Sequence, residues 1–476
     1  MQIIQSDKCR KWFPFVLFFL LALPILFREF GSGDELWNYN FAINISNGKL
    51  PYSDFSIVQT PLSAYFSALF LLIFGNSLIS FRLAGIVLIA ITFALMHSVC
   101  TTLTGQRWVS WIACTFTYVL VYHIWIYNYN YLILFVVMLI IYLMLKEKPL
   151  CNRFVAFLYG LLPLIKQSTG ALLLLLFWSF LFVDLVKKQQ RKKYLLVDIL
   201  ISITPGVLFL VFLLLTRSFT EFWEYAIDGV KTFTHRTYIW EYVLSTLVAF
   251  MVTLFIAFTM IFSLITVFRN GNESKSTQIR ILLIAVFAGV VSYPLTDHYH
   301  MMVALVPYVI CFLMCFRYKE HSSLQKSICM SVAALILIAS SVNVVYEVRN
   351  LKLCELNHYR GIPIAENVEC NIKLVDEFIL DEEEKGKKVI IADECAAACM
   401  IPLDRYTKNF DMLLIGNLGA NTVRDLVSEN ENVIYLVTKD DATLGYQAHY
   451  ELIKFIKENY TKVGEVAGLD AYEKQN

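Results

Sequence analysis

Residues 12–27 read WFPFVLFFLLALPILF, and residues 33–75 read GDELWNYNFAINISNGKLPYSDFSIVQTPLSAYFSALFLLIFG. The first run is almost wholly apolar and follows Lys8, Arg10 and Lys11, as a membrane-spanning segment does. No small-residue cleavage site precedes Arg28-Glu29, so the run reads as a retained anchor rather than a removed signal peptide. Asp34 and Glu35 lie a few residues beyond it, where lipid meets water on the far side of the membrane. An enzyme acting on a lipid-borne substrate needs a base at that depth.

The rest of the chain agrees with a membrane protein. Of its 476 residues 58% are hydrophobic and 17% charged, against about 25% charged for a soluble protein. The mean hydropathy is +0.59. Apolar runs of spanning length recur near 12–28, 79–103, 107–124, 131–146, 153–165, 168–186, 194–216, 242–268, 279–296, 300–316 and 325–346. The segment Pro61–Phe74 is apolar but short. Counted as a span, it would put KEKPLCNR and KKQQRKK outside; treated as an interfacial helix, it leaves every basic loop on one side. The second choice gives about eleven transmembrane helices, a cytoplasmic N-terminus, and Asp34 and the C-terminus outside.

From about Asn350 charge becomes frequent, as in DEEEKGKK at 381–388, and short β-rich runs appear at 389–393, 412–416 and 433–437. Helical patterns around 420–428 and 445–459 alternate with them. This predicts a small α/β domain at 350–476 with a mostly parallel sheet, following a transmembrane domain at 1–349. Gly416-Asn417-Leu418-Gly419 reads as a tight turn, too short a motif to assign a nucleotide. The eleven cysteines are scattered. None has the spacing of a zinc site, so no metal is expected.

The order of features after the first span carries a resemblance. Asp34-Glu35 is followed by a helix over Leu36–Asn44, expected to be amphipathic, and a turn at Asn47-Gly48. Pro51-Tyr52, Asp54-Phe55, Gln59-Thr60-Pro61-Leu62, Phe74-Gly75 and Arg82 come next. This resembles the first external loop of the GT-C glycosyltransferases, polytopic enzymes that include protein O-mannosyltransferases and lipid A aminoarabinose transferases. The resemblance implies a polytopic α-helical GT-C-like fold. It implies a polyprenyl-phosphate sugar as donor, undecaprenyl phosphate in a bacterial host, with Asp34 as the catalytic base. Glu35 would orient the acceptor or tune Asp34. It covers roughly residues 10–346, is strongest at 31–85, and says little of the tail.

Other residues fit that chemistry. Lys166-Gln167 lies in a turn between two helices, and a lysine at membrane depth faces a cavity or an anion such as a lipid phosphate. A snorkelling lysine is the plainer reading. His298 and His300, at the outer end of a late helix, present imidazoles suited to a phosphate, or simply sit at the interface. Arg236, in an aromatic and basic loop at 217–241, and Arg82 offer guanidinium forks to phosphate oxygens. The loop HIWIYNYNYL at 123–132 has Asn128 and Asn130 where many GT-C members carry an acid, which weakens the case for a divalent cation without removing it. The expectation is therefore metal-independent transfer with no cofactor. The acceptor would be a lipid, glycan or protein of the envelope, and nothing in the chain calls for nucleic acid. A transporter or lipid flippase, and an oligosaccharide polymerase or ligase, are the competing readings.

Overall fold

The computed structural model describes the chain except residues 1–6, 31–32, 124–126, 147–148, 188–191, 230–238, 270–274, 290–297, 316–321, 394, 405–431, 440–449 and 475–476. It falls into two compact units. One comprises Met1–Leu26, Leu83–Phe209 and Arg236–Tyr346; the other comprises Phe27–Arg82, Leu210–His235 and Glu347–Asn476.

The first unit is helical. Among the described residues, five helices are long and apolar enough to cross a membrane: Leu78–Thr104, Gln167–Val186, Tyr194–Leu215, Ala249–Thr266 and Ser323–Val348. Shorter apolar helices include Trp12–Phe27, Arg107–Val121, Tyr129–Met144, Ser276–Gly289 and Leu305–Met314. The chain is thus an integral membrane protein. Many of its large apolar side chains are exposed, among them Leu200, Val207, Leu208, Met251, Phe258, Leu335 and Ile338. Such side chains facing outward along whole helices suit a hydrocarbon solvent. Small residues let helices close up: a Cβ on Gly160 would lie 2.1 Å from Ser202 O, and one on Gly170 2.2 Å from Leu162 O. An Arg280–Asp184 ion pair ties two helices of this unit, and Arg280 also lies 5.3 Å over the Phe180 ring.

The second unit joins the loop after the first span to the tail. Its central helix, Gly33–Ser46, is buried at every position from Glu35 to Asn44. The expected amphipathic helix is therefore enclosed on all sides. Against it lies Leu62–Phe74, and from the tail Ala396–Met400. Gly48, with φ +81°, ends the central helix, its N–H donating to Ile45 O at 2.9 Å, which is the turn the sequence marks at Asn47-Gly48.

The Leu62–Phe74 helix buries small residues, Ser63, Ala64, Ser67 and Ala68, with Leu71. It exposes Tyr65, Leu69, Leu72, Ile73 and Phe74. Water would reverse that arrangement, whereas lipid favours it. Its 13 residues reach only about 20 Å, short of the roughly 30 Å of a hydrocarbon core. An interfacial placement satisfies both facts.

In the tail, β1 (Lys352–Leu353) pairs antiparallel with β2 (Pro363–Ile364). A four-stranded sheet follows, with β3 (Lys388–Ala392), β4 (Val433–Thr438), β5 (Thr461–Val466) and β6 (Leu469–Glu473) in the order β3-β4-β6-β5. β3 and β4 are parallel, as expected, but β4–β6 and β5–β6 are antiparallel. The mostly parallel sheet is thus corrected among the described residues. Ala467 and Gly468, at φ +48° and +83°, turn β5 back into β6, a hairpin hidden in a charged stretch. The expected strand at 412–416, the turn at 416–419 and the helix at 420–428 lie outside the described residues. Ile390, Val433, Tyr435, Val437, Leu452, Ile453 and Ile456 form the core.

The Glu366–Glu384 helix buries Glu369, Ile372, Val375, Asp376, Ile379 and Glu382, a stripe at helical spacing. Two of its acids are neutralised: Glu369 by Lys373 at 2.9 Å, and Glu382 by Lys385 at 2.6 Å. Asp376 Oδ1 has no hydrogen-bond partner among the described residues. Burial first, and then Glu377, pushes its carboxyl up to about 7. Between about pH 4 and 7 the folded protein holds a proton here that the unfolded chain releases, so stability falls as pH rises through that window. Asp376→Asn is neutral throughout. The full-length variant should match the wild type near pH 4.5 and exceed it at pH 8 by on the order of 2–4 kcal/mol, read as thermal or denaturant unfolding of the tail.

Candidate active site

The described geometry divides the sequence-predicted residues between the two units. Asp34, Glu35 and Arg82 belong to the second. Asp34 and Glu35 occupy the first turn of the Gly33–Ser46 helix, where the positive end of the helix dipole favours carboxylates. Arg82, in the first turns of Leu78–Thr104, and Glu35 are 1% and 2% exposed. Arg82 donates from Nε to Glu35 Oε1 at 2.8 Å and from Nη2 to Glu35 Oε2 at 2.7 Å, a two-pronged pair. Its Nη1 donates to Arg28 O at 2.7 Å and Nη2 to Glu29 O at 3.1 Å.

Arg82 therefore has a different duty from the phosphate contact expected of it. Its fork is committed to Glu35 and to the two carbonyls that end the segment after the first span. Glu35 is held by the same fork at the start of the helix. Asp34, the candidate base, is half-buried on the same turn. Asn38 Nδ2 donates to Asp34 O at 2.8 Å, securing the turn from the other side.

The first unit holds the candidates for phosphate. Lys166 has extended backbone (φ −146°, ψ 114°) in the turn that Pro163 begins, just before the Gln167–Val186 helix. Its Nζ lies 4.9 Å from the centroid of Tyr129, which opens the Tyr129–Met144 helix. The Gly170 N–H closes the turn onto Lys166 O at 2.8 Å. Gln167 begins the helix beside it. His300 is half-buried in the first turn of His298–Met314; the side chain of His298 and all of Arg236 lie outside the described residues. Asn128 is an N-cap, its Oδ1 accepting from Asn130 N at 2.9 Å, so a helix start accounts for it without a metal. No group of three or more His, Cys, Asp or Glu side chains suited to a metal occurs among the described residues.

The sequence pattern included Tyr52 and Gln59 but not the contacts they make, and it did not point to Asn38 at all. Gln59 Nε2 donates to Asn38 Oδ1 at 2.8 Å, and Tyr52 Oη donates to Gln59 O at 2.8 Å. Tyr52 itself takes φ +68°, a strained left-handed conformation for a tyrosine, held by its N–H to Phe55 O at 2.9 Å.

The helical fold is the one found in solved GT-C membrane glycosyltransferases. ArnT from Cupriavidus metallidurans in the apo state is similar at TM-score 0.58 and 10% identity, over 98% of each chain. The same protein bound to undecaprenyl phosphate is similar at 0.54 and 10%, over 96% of this chain and 97% of that one. The arabinofuranosyltransferase AftD from Mycobacteria is similar at 0.53 and 12% identity over 99% of this chain, which spans 40% of AftD. At such identities the likeness is one of fold. No family model matches the chain, and no curated protein matches it in sequence.

The Glu35–Arg82 pair makes a measurable claim. Arg82→Ala should leave a buried carboxylate uncompensated and cost about 3–5 kcal/mol, seen as a lower unfolding temperature in detergent. The double variant Glu35→Leu with Arg82→Met should recover much of that loss. Equal losses in the single and double variants would show the pair is not the source.

Proposed function

We infer that the chain is an inverting glycosyltransferase that moves a sugar from a polyprenyl-phosphate donor, undecaprenyl phosphate in a bacterial host, to an envelope acceptor. The observation that carries the reading is the clamp on the Asp34 turn. A buried guanidinium fixes Glu35, and Asn38 fixes the Asp34 carbonyl, so one carboxylate is presented from a rigid helix start. The GT-C fold supports the class, and the similar structure bound to undecaprenyl phosphate supports the donor.

Asp34 takes the proton of the acceptor hydroxyl or amine as that atom attacks the anomeric carbon. The phosphate leaves with its bonding electrons, and the anomeric centre inverts. A phosphate that departs as an anion needs cationic or hydrogen-bonding partners. Lys166, Gln167, His298 and His300, with Arg236, are the candidates for that duty; Arg82 is withdrawn from it. The reaction calls for no redox cofactor, and we propose that it is metal-independent, on the support of neutral Asn128 and Asn130. Loop charges favour a cytoplasmic N-terminus, with Asp34 and the tail outside.

The reading is tested with membranes holding the full-length protein and radiolabelled sugars on undecaprenyl phosphate. Asp34→Asn should reduce transfer by 10²–10⁴ at unchanged expression, the usual contribution of a general base. Transfer that survives the substitution would move the base elsewhere. Absence of transfer from any donor, with substrate flux into vesicles, would favour a transporter.

A further inference from the structure

Gln59 lies in the loop 56–61 that lines the Asp34 turn, and it is 5% exposed. The hydrogen bonds around it have a forced direction. They end on Asp34 O, a carbonyl that only accepts, so Asn38 must present Nδ2 to it, at 2.8 Å. Asn38 then has only Oδ1 to offer Gln59, which must answer with Nε2, also at 2.8 Å. Rotating either amide would set oxygen against oxygen. The backbone carbonyl of Gln59 is pinned as well, by Tyr52 Oη.

What this chain leaves over is Gln59 Oε1, a buried acceptor with no hydrogen-bond partner among the described residues. The next residue repeats the pattern. Thr60 is 3% exposed, and its Oγ1 has no partner among them either. One turn along the helix from Asp34, Trp37 Nε1 is a third such group. Buried polar atoms are nearly always paired, and leaving one dry and unpaired costs stability. Gln59 and Thr60 are consecutive in the loop bonded to Asn38, and Trp37 precedes Asn38 on the Asp34 helix, so the unpaired groups belong to one stretch of the fold and call for a ligand with hydrogen bonds of its own.

We propose that Gln59 Oε1 and Thr60 Oγ1 form a polar subsite that takes a hydroxyl or amine hydrogen of a sugar-bearing ligand beside Asp34. The subsite is neutral. It reads O–H and N–H donors and offers no cation, so it does not duplicate the phosphate contacts. Gln59 and Thr60 are then positioning residues: they set the orientation of the group whose proton or anomeric carbon is handled next to Asp34. The proposal rests on the glycosyl-transfer reading of Asp34. The hydroxyl can come from the donor's sugar or from the acceptor.

The test uses the full-length protein in detergent and three forms: wild type, Gln59→Leu and Thr60→Val. Thr60→Val keeps the side-chain shape, so at least one variant should remain folded. Thermal unfolding is followed with undecaprenyl phosphate alone and with undecaprenyl phosphate carrying glucose, mannose or N-acetylgalactosamine. If the donor sugar is the ligand, a sugar-bearing lipid stabilises the wild type beyond undecaprenyl phosphate alone. That increment disappears in Gln59→Leu and shrinks in Thr60→Val. If the acceptor is the ligand, the lipids act alike in all forms. Gln59→Leu then raises the KM for a lipid extract of the host envelope about tenfold, with kcat within threefold, the loss expected of one buried hydrogen bond. Folded Gln59→Leu and Thr60→Val proteins that match wild type in lipid response and in both KM values would overturn the proposal and assign the oxygens to resident water. Failure of the Asp34 reading is distinct: transfer then survives Asp34→Asn while the lipid response still reads the subsite.

Discussion

The fork of Arg82 on Glu35 is the interaction on which the second unit depends. Taking both charges out of water is costly, and the cost is met only because every prong finds an oxygen: two on the carboxylate, and the carbonyls of Arg28 and Glu29. Three stretches of chain are thereby fixed to one another. They are the exit from the first span, the start of the Gly33–Ser46 helix and the start of Leu78–Thr104. A helix buried on all sides needs such a rigid entry, since the backbone N–H groups of its first turn have no helical partners.

The Leu62–Phe74 helix shows the same economy in reverse. Small residues face the protein, so the helix lies close to Gly33–Ser46, and large apolar residues face out. The helix thus covers the Asp34 helix on one side and carries lipid on the other. A site lined by Asn38, Gln59 and Thr60 beneath such a cover is dry, and in a dry site each hydrogen bond or charge acts more strongly than in water.

Much of this was legible in the sequence and some was not. Apolar runs announce helices because burial in lipid is a local, additive property of a window. Asn47-Gly48 announces a helix end because a left-handed residue is needed there. Lys166 announces its turn because a charge at membrane depth must be accommodated. The pairing of Glu35 with Arg82 joins residues 47 apart, and no local pattern encodes such a distance. A signal existed nonetheless: Arg82 is the one charge in the apolar run 78–104, and a lone buried guanidinium demands a carboxylate. The β5–β6 hairpin escaped because Thr461–Glu473 is charged and alternates poorly. Gln59 escaped because an orphaned oxygen is a property of packing, invisible until its neighbours are in place.

Docking of the tail follows from the same accounting of polar groups. Phe30 N–H donates to Pro363 O at 2.8 Å, and Leu78 N–H to His358 O at 2.8 Å, so backbone groups at both ends of the stretch from Phe30 to Leu78 are satisfied by the tail. His358, at φ +66°, meets Asn76 O through Nδ1 and Asp404 Oδ1 through Nε2, each at 2.8 Å. Tyr359 adds an edge-on contact to Phe30 with ring centroids 4.7 Å apart, and its Oη donates to Ala397 O at 3.2 Å. Taken away, the tail would leave these loop donors and acceptors unpaired and the Gly33–Ser46 helix uncovered where Ala396–Met400 now lies. The tail is therefore part of the structure that presents Asp34, and a change in it reaches the candidate base through Phe30, the Arg28–Glu29 carbonyls and the Arg82 fork.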